Sequence, residues 1–400
     1  MPAPEISKRP TISKRSGVSP FIAMDVMRDA TAMERDPANK RRIIHLEVGQ
    51  PSTPAPRRVR DAAAHALIHE RLGYTDALGL PKLRTRIAQH YRDRHNVDVS
   101  AERIVVTSGS SGGFVLAFLA CFDVGARVAI SEPGYPAYRN ILTALGLVPV
   151  GIPVGPATRW SMTPDLIDAA ERTHGPIAGV LVASPANPTG TMLTPEALAA
   201  LTASCAARGR WFISDEIYHG ISYGMSEATA LMSSPDAIVA NSFSKYYSMT
   251  GWRLGWLVVP DRLVRPLECL AQNLFISPPA IAQEAAVAAF DATDELDTNV
   301  AVYAANRDLL LDALPDAGLD NFAPADGAFY LYADVSALLA KGSNADSVAF
   351  CHRMLHEAGV AATPGLDFDP LRGGQTVRFS FAGATADMAE AASRLKQWLA

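Results

Sequence analysis

The sequence has few cysteines, little net charge and no long hydrophobic run. Its 400 residues include four cysteines, none in a CxxC pair: Cys121, Cys205, Cys269 and Cys351. Cysteines scattered through apolar or Ala-rich stretches exclude a disulfide framework and indicate small core residues in a reducing compartment. The net charge of −5, with mixed signs, gives no electrostatic footprint for nucleic acid or anionic lipid. No apolar stretch approaches the roughly 18 residues that a membrane-spanning helix needs.

Targeting and metal-binding signals are also missing. The amino terminus is rich in proline, contains Glu5 and has no apolar core, which argues against a secretory signal. We expect a flexible arm over residues 1–15 and a cytoplasmic protein. His65 and His69 have the i, i+4 spacing of metal ligands on a helix, but no HExxH pattern accompanies them. We interpret them as residues of a helix surface and expect no metal.

What the chain does contain is an alternation of strand and helix patterns. Apolar residues make up 48% of the chain, and its length suggests two or three domains. Between residues 46 and 295, strand-like runs alternate with helical runs, which predicts an α/β domain with a mostly parallel sheet between layers of helices. The run 256–260 follows too closely for a full crossover, so we expect it to be antiparallel. The last hundred residues predict an α+β module with helices near 297–314 and 345–358 and a strand at 376–381.

A run of small residues separates one predicted strand from a helix. Residues 104–107 form the strand-like run, 108–113 consist of serine and glycine, and an apolar run from Phe114 to Phe122 predicts the helix. Small residues at such a junction let backbone N–H groups at the positive end of a helix approach a phosphate. We therefore expect phosphate contacts from this segment.

Two further strand-like runs are followed by polar side chains. Residues 180–183 lead to Asn187, and residues 211–214 lead to Asp215 and Tyr218. In a parallel sheet, the carboxyl ends of such strands carry the binding site. A carboxylate at Asp215 could keep a pyridine nitrogen protonated. Asn187 and Tyr218 could hydrogen-bond the phenolic oxygen of the same ring.

Lys245 is the most informative residue of the chain. It follows the apolar run 237–240 and lies among hydroxyl side chains, with Arg253 eight residues later. Burial at the end of a strand disfavours the ammonium form of a lysine, so its free amine can attack a carbonyl carbon. A lysine in this setting can hold pyridoxal phosphate as a Schiff base.

Taken together, these segments resemble the class I/II aminotransferases, enzymes of pyridoxal-phosphate fold type I. The resemblance covers nearly the whole chain beyond the first fifteen residues, through the runs 47–51, 73–75, 79–84, 132–138 and 377–380. It implies a large domain at 46–295 with a mostly parallel seven-stranded sheet, and a smaller discontinuous α+β domain at 16–45 and 296–400. It also implies a homodimer that exchanges an amino group between an L-amino acid and a 2-oxo acid.

The resemblance further implies a role for each matching residue. Lys245 resembles the Schiff-base lysine, Asp215 the partner of the pyridine nitrogen, and Asn187 and Tyr218 the pair at the ring oxygen, while Tyr135 resembles the aromatic residue that stacks on the ring. Lys245, Asp215 and Tyr218 are the implied catalytic residues. Phosphate contacts are implied for Gly109, Ser110, Ser111, Ser242, Ser244, Arg253 and, reaching the neighbouring subunit's site, Tyr74. Substrate contacts are implied for Gly49, Asn187 and Arg378.

Other functions of the same fold stay open at this point. The cofactor-binding residues are shared by C–S β-lyases and by decarboxylating or cyclising relatives, because the pocket selects which bond breaks. A non-catalytic regulatory module is a third alternative, which we do not expect because the first fifteen residues are too few for a DNA-binding domain.

The sequence says little about the substrate. Phe21 and Ile22 stand where relatives fold a segment over the pocket, which favours an apolar donor side chain, although an amphipathic helix starting there would bury the same residues. We assign no second arginine for a distal carboxylate, because Arg139 and Arg159 lack a matching context.

Overall fold

A computed structural model of the protein describes residues 11–342 and 345–400. Residues 1–10 of the predicted arm lie outside the described residues, and 11–15 are exposed. The strands in this part of the chain are β1 (Ile44–His45), β2 (Ile104–Thr107), β3 (Arg127–Glu132), β4 (Val148–Pro153), β5 (Gly179–Ala183), β6 (Trp211–Asp215), β7 (Ile238–Ser242), β8 (Gly255–Val258), β9 (Tyr330–Asp334), β10 (Val360–Ala361), β11 (Thr363–Pro364) and β12 (Thr376–Ser380).

The helices alternate with these strands over much of the chain. They are α1 (Ile22–Arg35), α2 (Arg57–His69), α3 (Pro81–His95), α4 (Gly109–Cys121), α5 (Pro136–Ala144), α6 (Pro164–His174), α7 (Pro195–Ala207), α8 (Asp261–Leu274), α9 (Ala280–Ala286), α10 (Thr293–Ala313), α11 (Ser336–Gly342), α12 (Ser347–Arg353) and α13 (Thr385–Leu399). A π-helical turn, Met354–Ala358, extends α12.

The main sheet has seven strands in the order β2-β8-β7-β6-β5-β3-β4. Neighbouring strands from β7 to β4 run parallel, whereas β8 runs antiparallel to both β7 and β2. The mostly parallel seven-stranded sheet and the antiparallel direction of the strand at 256–260 are therefore confirmed. The connection between Ser242 and Gly255 contains no regular helix that could carry the chain back across the sheet for another parallel strand.

Three strands of this sheet end side by side. Ala183 at the end of β5 pairs with Asp215 at the end of β6, and Asp215 pairs with Ala240 of β7. Because these strands are parallel, the segments that follow them start at the same edge. The sheet register thus brings together residues that are as far apart in sequence as Ala183 and Ala240.

Apolar side chains cover both faces of the sheet. Adjacent residues of one strand belong to different hydrophobic clusters, as Val105 and Val106 do in β2 and Ile238 and Val239 do in β7. This follows from the alternating side-chain direction in a strand. It also explains why these strands are continuous apolar runs in the sequence, since both faces are buried beneath helices.

The helix after β2 begins five residues earlier than the apolar run predicts. We predicted its start at Phe114, but α4 begins at Gly109 and includes the serines and glycines that follow. Tertiary packing accounts for the difference, because a Cβ on Gly113 would lie 3.1 Å from Cδ2 of Leu257 in β8. A residue without a side chain lets the helix lie close to the sheet, and this outweighs the low helix propensity of glycine.

The carboxyl-terminal region contains a three-stranded antiparallel sheet in the order β11-β12-β9. The predicted helix at 297–314 begins at Thr293, and the one at 345–358 begins at Ser347, where Asp346 accepts hydrogen bonds from the next turn. Helix α1 packs against this region, since Ala30, Leu355 and Ala361 share one apolar cluster. The division into domains at 46–295 and at 16–45 with 296–400 stays a prediction.

The predicted surface histidines agree with the structure, and one of the cysteines does not. His65 and His69 are exposed on α2, with ring centroids 4.4 Å apart. Of the cysteines, which we predicted to be core residues, Cys205 and Cys351 are buried and Cys121 is half-buried. The prediction is wrong for Cys269, which is exposed because it does not lie on the buried face of α8. In the described part of the chain, no helix is both long and apolar enough to cross a membrane.

Candidate active site

A cavity of about 180 Å³ opens at the carboxyl ends of β5, β6 and β7. Eight of the predicted site residues line it: Gly49, Ser110, Tyr135, Asn187, Asp215, Tyr218, Lys245 and Arg378. Phe21, which the resemblance places over the pocket, also lines it, as do residues without a predicted role, among them Met24, Tyr138, Tyr330, Asp367 and Phe368. The cavity therefore joins the edge of the main sheet to α1 and to the carboxyl-terminal region.

Lys245 lies three residues beyond the end of β7, with its amine in the cavity. Nζ donates a hydrogen bond to the carbonyl oxygen of Gly49. Desolvation lowers the pKa of the Lys245 amine to about 8, and the positive charges of Arg378 and Arg253 act in the same direction. The free amine is therefore accessible near neutral pH, as a nucleophile or a general base requires.

Asp215 ends β6 as a buried carboxylate. Its side chain accepts hydrogen bonds from the hydroxyl of Tyr138 and, at 3.1 Å, from the backbone N–H of Ile217. Burial raises the pKa of Asp215 to about 6, although both hydrogen bonds oppose the shift. A carboxylate held in this way at the bottom of a cavity is suited to pair with a cationic group of a ligand.

Arg378 in β12 is buried between two aromatic rings. Its guanidinium lies 4.4 Å from the ring centroid of Tyr330 and 4.7 Å from that of Phe368. Nη1 donates to Oδ1 of Asn187 at 2.9 Å, and Nη2 donates to the carbonyl oxygen of Glu47. Within residues 11–342 and 345–400, Arg378 forms no ion pair with a carboxylate, and its Nε has no hydrogen-bond partner.

Aromatic residues enclose the space between these charged groups. The hydroxyls of Tyr218 and Tyr330 lie 2.6 Å apart in a buried hydrogen bond. Tyr135 packs edge-on against Phe21, with centroids 5.7 Å apart, and against Tyr138 at 5.3 Å. Burial raises the pKa of Tyr135 to about 12, so its hydroxyl stays protonated at neutral pH.

The predicted phosphate segment lies at the start of α4. Gly109 has φ +72°, and a Cβ there would lie 2.5 Å from Nη2 of Arg253. The guanidinium of Arg253 therefore rests directly against the amino-terminal turn of α4. Ser242 and Ser244 are buried next to this turn, with their hydroxyl oxygens 2.9 Å apart.

Some predicted site residues do not line the cavity. Ser242 and Ser244 hydrogen-bond each other behind it, and Ser111 is exposed on α4. Tyr74 is 85% exposed, so within its own chain it reaches none of the residues described above. Arg139 and Arg159, which lack a matching context in the sequence, lie beside Glu132 and Asp326 respectively.

These groups fit the pyridoxal phosphate that the resemblance implies. Asp215 supplies a buried carboxylate for the pyridine nitrogen, and Lys245 supplies an amine of lowered pKa for the aldehyde. The positive end of α4, with Arg253 beside it, suits a phosphate. A glycine at position 109 leaves the space that a side chain would fill at this end of the helix.

Sequence reasoning missed several residues of the cavity, among them Tyr138, Tyr330, Asp367 and Phe368. Tyr138 stands one helical turn after Tyr135, a spacing that could have indicated a second aromatic residue at the site. Tyr330 lies in β9, and its position at the site depends on the pairing of β9 with β12 and on the contact of its ring with the guanidinium of Arg378. Asp367 and Phe368 follow a turn that has no recognisable motif.

Comparison with known proteins agrees with this geometry. The chain matches the family "Aminotransferase class I and II" over residues 41–395. It is 52% identical to a valine–pyruvate aminotransferase of Mycobacterium tuberculosis, over 97% of this chain and 98% of that protein. It is 30% identical to an aspartate aminotransferase of Sulfurisphaera tokodaii, over 96% and 95% of the two chains. The crystal structure of an aminotransferase from M. tuberculosis superimposes with a TM-score of 0.93 at 51% identity, covering 98% of this chain and 99% of that one.

These matches extend over nearly the whole chain and share its fold, so they decide among the alternatives that the sequence left open. The relatives are aminotransferases, and the expected transfer reaction is confirmed over the C–S lyase and the regulatory module. The chain belongs to the class I and II aminotransferases and is a pyridoxal-phosphate-dependent enzyme that moves an amino group between an amino acid and a 2-oxo acid.

Proposed function

We propose that this enzyme transfers the amino group of a small apolar L-amino acid, such as valine, to pyruvate. The observation that carries the proposal is the state of Arg378, a buried cation without a carboxylate partner in the described part of the chain. A buried charge without a counter-ion is costly, so a substrate carboxylate binding there is strongly favoured. Both an amino acid and a 2-oxo acid carry such a group.

The rest of the cavity favours an apolar side chain. Phe21, Ala23, Met24 and Phe368 line it, and Arg378 is the one arginine that does so among the described residues. A dicarboxylic substrate would need a second cation for its distal group, and Lys245 is committed to the cofactor. The name of the M. tuberculosis relative, valine–pyruvate aminotransferase, supports the same substrate pair.

The residues at the bottom of the cavity would carry out the transfer. Bound pyridoxal phosphate supplies an electron-poor ring that stabilises negative charge on the substrate carbon bearing the amino group. Lys245 would hold the cofactor covalently, and its free amine would serve as the general base for the proton on this carbon. Asp215 keeps a proton on the ring nitrogen. The pKa of about 8 for the Lys245 amine suits this proton transfer near neutral pH.

Other side chains position the cofactor and the substrate. Asn187 and Tyr218 would bind the ring oxygen, Tyr135 would stack on the ring, and Gly49 and Asn187 would contact the substrate beside Arg378. The turn at the start of α4 and Arg253 would bind the phosphate, through Gly109 and Ser110 in particular. Ser111, Ser242 and Ser244, which do not line the cavity, would reach the phosphate only from its far side.

Steady-state kinetics with a panel of donors and acceptors tests the substrate proposal. We expect kcat/KM for valine with pyruvate to exceed that for aspartate with 2-oxoglutarate by at least about tenfold. Arg378→Gln should raise KM for both valine and pyruvate, whereas Arg159→Gln, which removes an arginine paired with Asp326 outside the cavity, should not. A wild-type preference for the dicarboxylic pair would refute the proposal.

A second copy of the chain would complete the site. Tyr74 is exposed, and Leu67, Ile68 and Ile276 are also more than half exposed. The N–H of Thr75 donates to Oγ of Ser277 at 3.4 Å, so Tyr74 and Ile276 lie on neighbouring segments. Exposed apolar residues on adjoining elements indicate a contact surface. In a homodimer this surface would be buried, with Tyr74 reaching the cofactor phosphate of the neighbouring subunit.

Mixing two inactive variants distinguishes this arrangement from a tyrosine that acts within its own chain. A hybrid of Lys245→Ala and Tyr74→Ala chains contains one site with both residues intact only if Tyr74 acts across the interface. We expect activity to return on mixing and the mass in solution to be that of a dimer. No recovery despite hybrid formation would show that Tyr74 acts elsewhere.

A further inference from the structure

We propose that Asp367 determines which substrates the site accepts, by holding the apolar wall of the cavity in place and by excluding a second carboxylate. The inference rests on the proposed preference for an apolar donor and pyruvate, and it gives that preference a specific residue. Asp367 lines the cavity and is 3% exposed.

The first role follows from how α1 begins. Phe21 is the residue before the helix, and its side chain cannot accept a hydrogen bond from the first turn. Asp367, 345 residues away from Ile22, takes this role with both of its oxygens. Oδ1 accepts from the N–H of Ile22 at 3.0 Å, and Oδ2 accepts from the N–H of Ala23 at 3.2 Å. A carboxylate at this end of a helix stabilises it through the hydrogen bonds and the helix dipole.

These two hydrogen bonds join the separate parts of the apolar wall. Phe21, Ala23 and Met24 line the cavity from α1, and Phe368 lines it from the residue after Asp367. Phe21 also packs against Tyr135 at the edge of the cavity. The position of this wall relative to Arg378 therefore depends on Asp367, because the carboxylate bonds the first turn of α1 directly.

The second role follows from the surroundings of the carboxylate. Both oxygens of Asp367 already accept N–H groups, and within the described residues it forms no ion pair within 4.0 Å. Two cations affect it from a distance: Arg378 across the cavity, and Arg139, whose Nη2 donates to the backbone carbonyl of Asp367. When a substrate carboxylate occupies Arg378, a second carboxylate in the same enclosure would face the charge of Asp367 without a cation of its own.

Two substitutions separate the charge of Asp367 from its hydrogen bonds. Asp367→Asn removes the charge and leaves an amide that can accept only one of the two N–H groups. Asp367→Ser also removes the charge, and its hydroxyl ends one atom short of the carboxylate oxygens that accept the two N–H groups. Asp346→Asn is a matched control, because Asp346 accepts from the N–H groups of Val348 and Ala349 at the start of α12 and does not line the cavity.

The measurement is kcat/KM of the cofactor-saturated enzymes for pyruvate and for 2-oxoglutarate, with valine as donor. We expect both Asp367 variants to reduce the preference for pyruvate by at least about tenfold, as the loss of a like charge predicts. Hydrogen exchange at Ile22 and Ala23, measured on cofactor-free protein as well, should be faster in Asp367→Asn than in wild type. Asp346→Asn should change neither quantity.

The outcomes distinguish a failure of the inference from a failure of the proposed function. If wild type prefers pyruvate and both Asp367 variants keep that preference, Asp367 is structural only and the inference is overturned. If wild type itself prefers 2-oxoglutarate, the proposed function is wrong and the inference falls with it. Should Asp367→Asn fail to fold, the serine variant decides alone, because it lacks the same charge.

Discussion

The bottom and the outer wall of the cavity are built in different ways. The bottom consists of Asn187, Asp215 and Lys245. These residues lie at or just beyond the carboxyl ends of three adjacent parallel strands, and the sheet register places them. The wall consists of residues 21–24 and 367–368, which come from distant parts of the chain and are joined by hydrogen bonds to one carboxylate. The comparison suggests that the bottom carries the shared chemistry of the family and that the wall can change with the substrate.

Replacing Lys245 should have the largest effect and tests whether the bottom carries the chemistry. We expect Lys245→Ala to lower kcat/KM by at least about a thousandfold, because the variant loses both the covalent attachment and the general base. Transamination and visible absorption of the cofactor-saturated protein measure the two losses. Lys396→Ala, which removes an exposed partner of Asp316, should keep both properties. A Lys245 variant that retained both would contradict the assignment.

Replacing Asp215 should have the next largest effect. Asp215→Asn keeps the shape of the side chain but cannot hold a proton on the pyridine nitrogen through a negative charge, so we expect a loss in kcat of about a hundredfold or more. The KM for pyruvate should change much less, because Arg378 remains intact. If the substitution changed KM and left kcat unaltered, Asp215 would belong with the substrate-binding residues and not with the cofactor.

The same variant should make the cofactor-free protein more stable. Burial raises the pKa of Asp215 from 3.8 to about 6, so at pH above 6 the folded state holds a charge that the unfolded state holds more easily. The charge on Asp215 therefore destabilises the folded wild-type protein at neutral pH, by up to about 3 kcal/mol. This cost disappears below about pH 4, where Asp215 is protonated in both the folded and the unfolded state. Urea unfolding at pH 7.5 and pH 3.5 should show an advantage for Asp215→Asn only at the higher pH. An equal advantage at both values would mean that packing and not charge is responsible.

The phosphate end of the cavity allows a smaller and more local test. Gly109→Ala places a Cβ 2.5 Å from Nη2 of Arg253 and requires alanine to adopt φ +72°. We therefore expect the dissociation constant of pyridoxal phosphate to rise at least about tenfold. Gly209→Ala is the matched control, with φ +63° and no atom within 4 Å of the new Cβ. Both variants should lose about 1 kcal/mol of unfolding free energy. If the two variants bound pyridoxal phosphate with equal affinity, Arg253 would not be a phosphate-binding residue.

Much of the cavity bottom could be predicted because local signals determine it. A short apolar run followed by a polar residue is visible in the sequence, and parallel pairing then brings Asp215 and Lys245 to one edge without further information. The antiparallel strand at 256–260 followed from the length of its connection. The early start of α4 was missed because the glycines that allow it act through contact with Leu257, which no local propensity contains.

The wall could not be predicted for a related reason. The hydrogen bonds that Ile22 and Ala23 donate to Asp367 join residues that are distant in sequence, and none of the three belongs to a motif. The two interpretations of Phe21 and Ile22, as a wall residue pair or as the start of a helix, are both partly right. The helix begins at Ile22, and Phe21 and Met24 line the cavity at its first turn.

Tyr138 offers the finest test of how the bottom is tuned. Its hydroxyl donates to Asp215 and holds the pKa of that carboxyl below the value that burial alone would give. Tyr138→Phe should therefore raise the pKa of Asp215, so that kcat/KM falls about three- to tenfold at pH 6.5 and less at pH 8.5, where the carboxylate is ionised in both proteins. Tyr332→Phe is the control, because Tyr332 is also a buried tyrosine whose hydroxyl bonds Thr376 and which does not line the cavity. A loss that is the same at both pH values would show that Tyr138 acts by filling space, and the bottom would then depend on packing as the wall does.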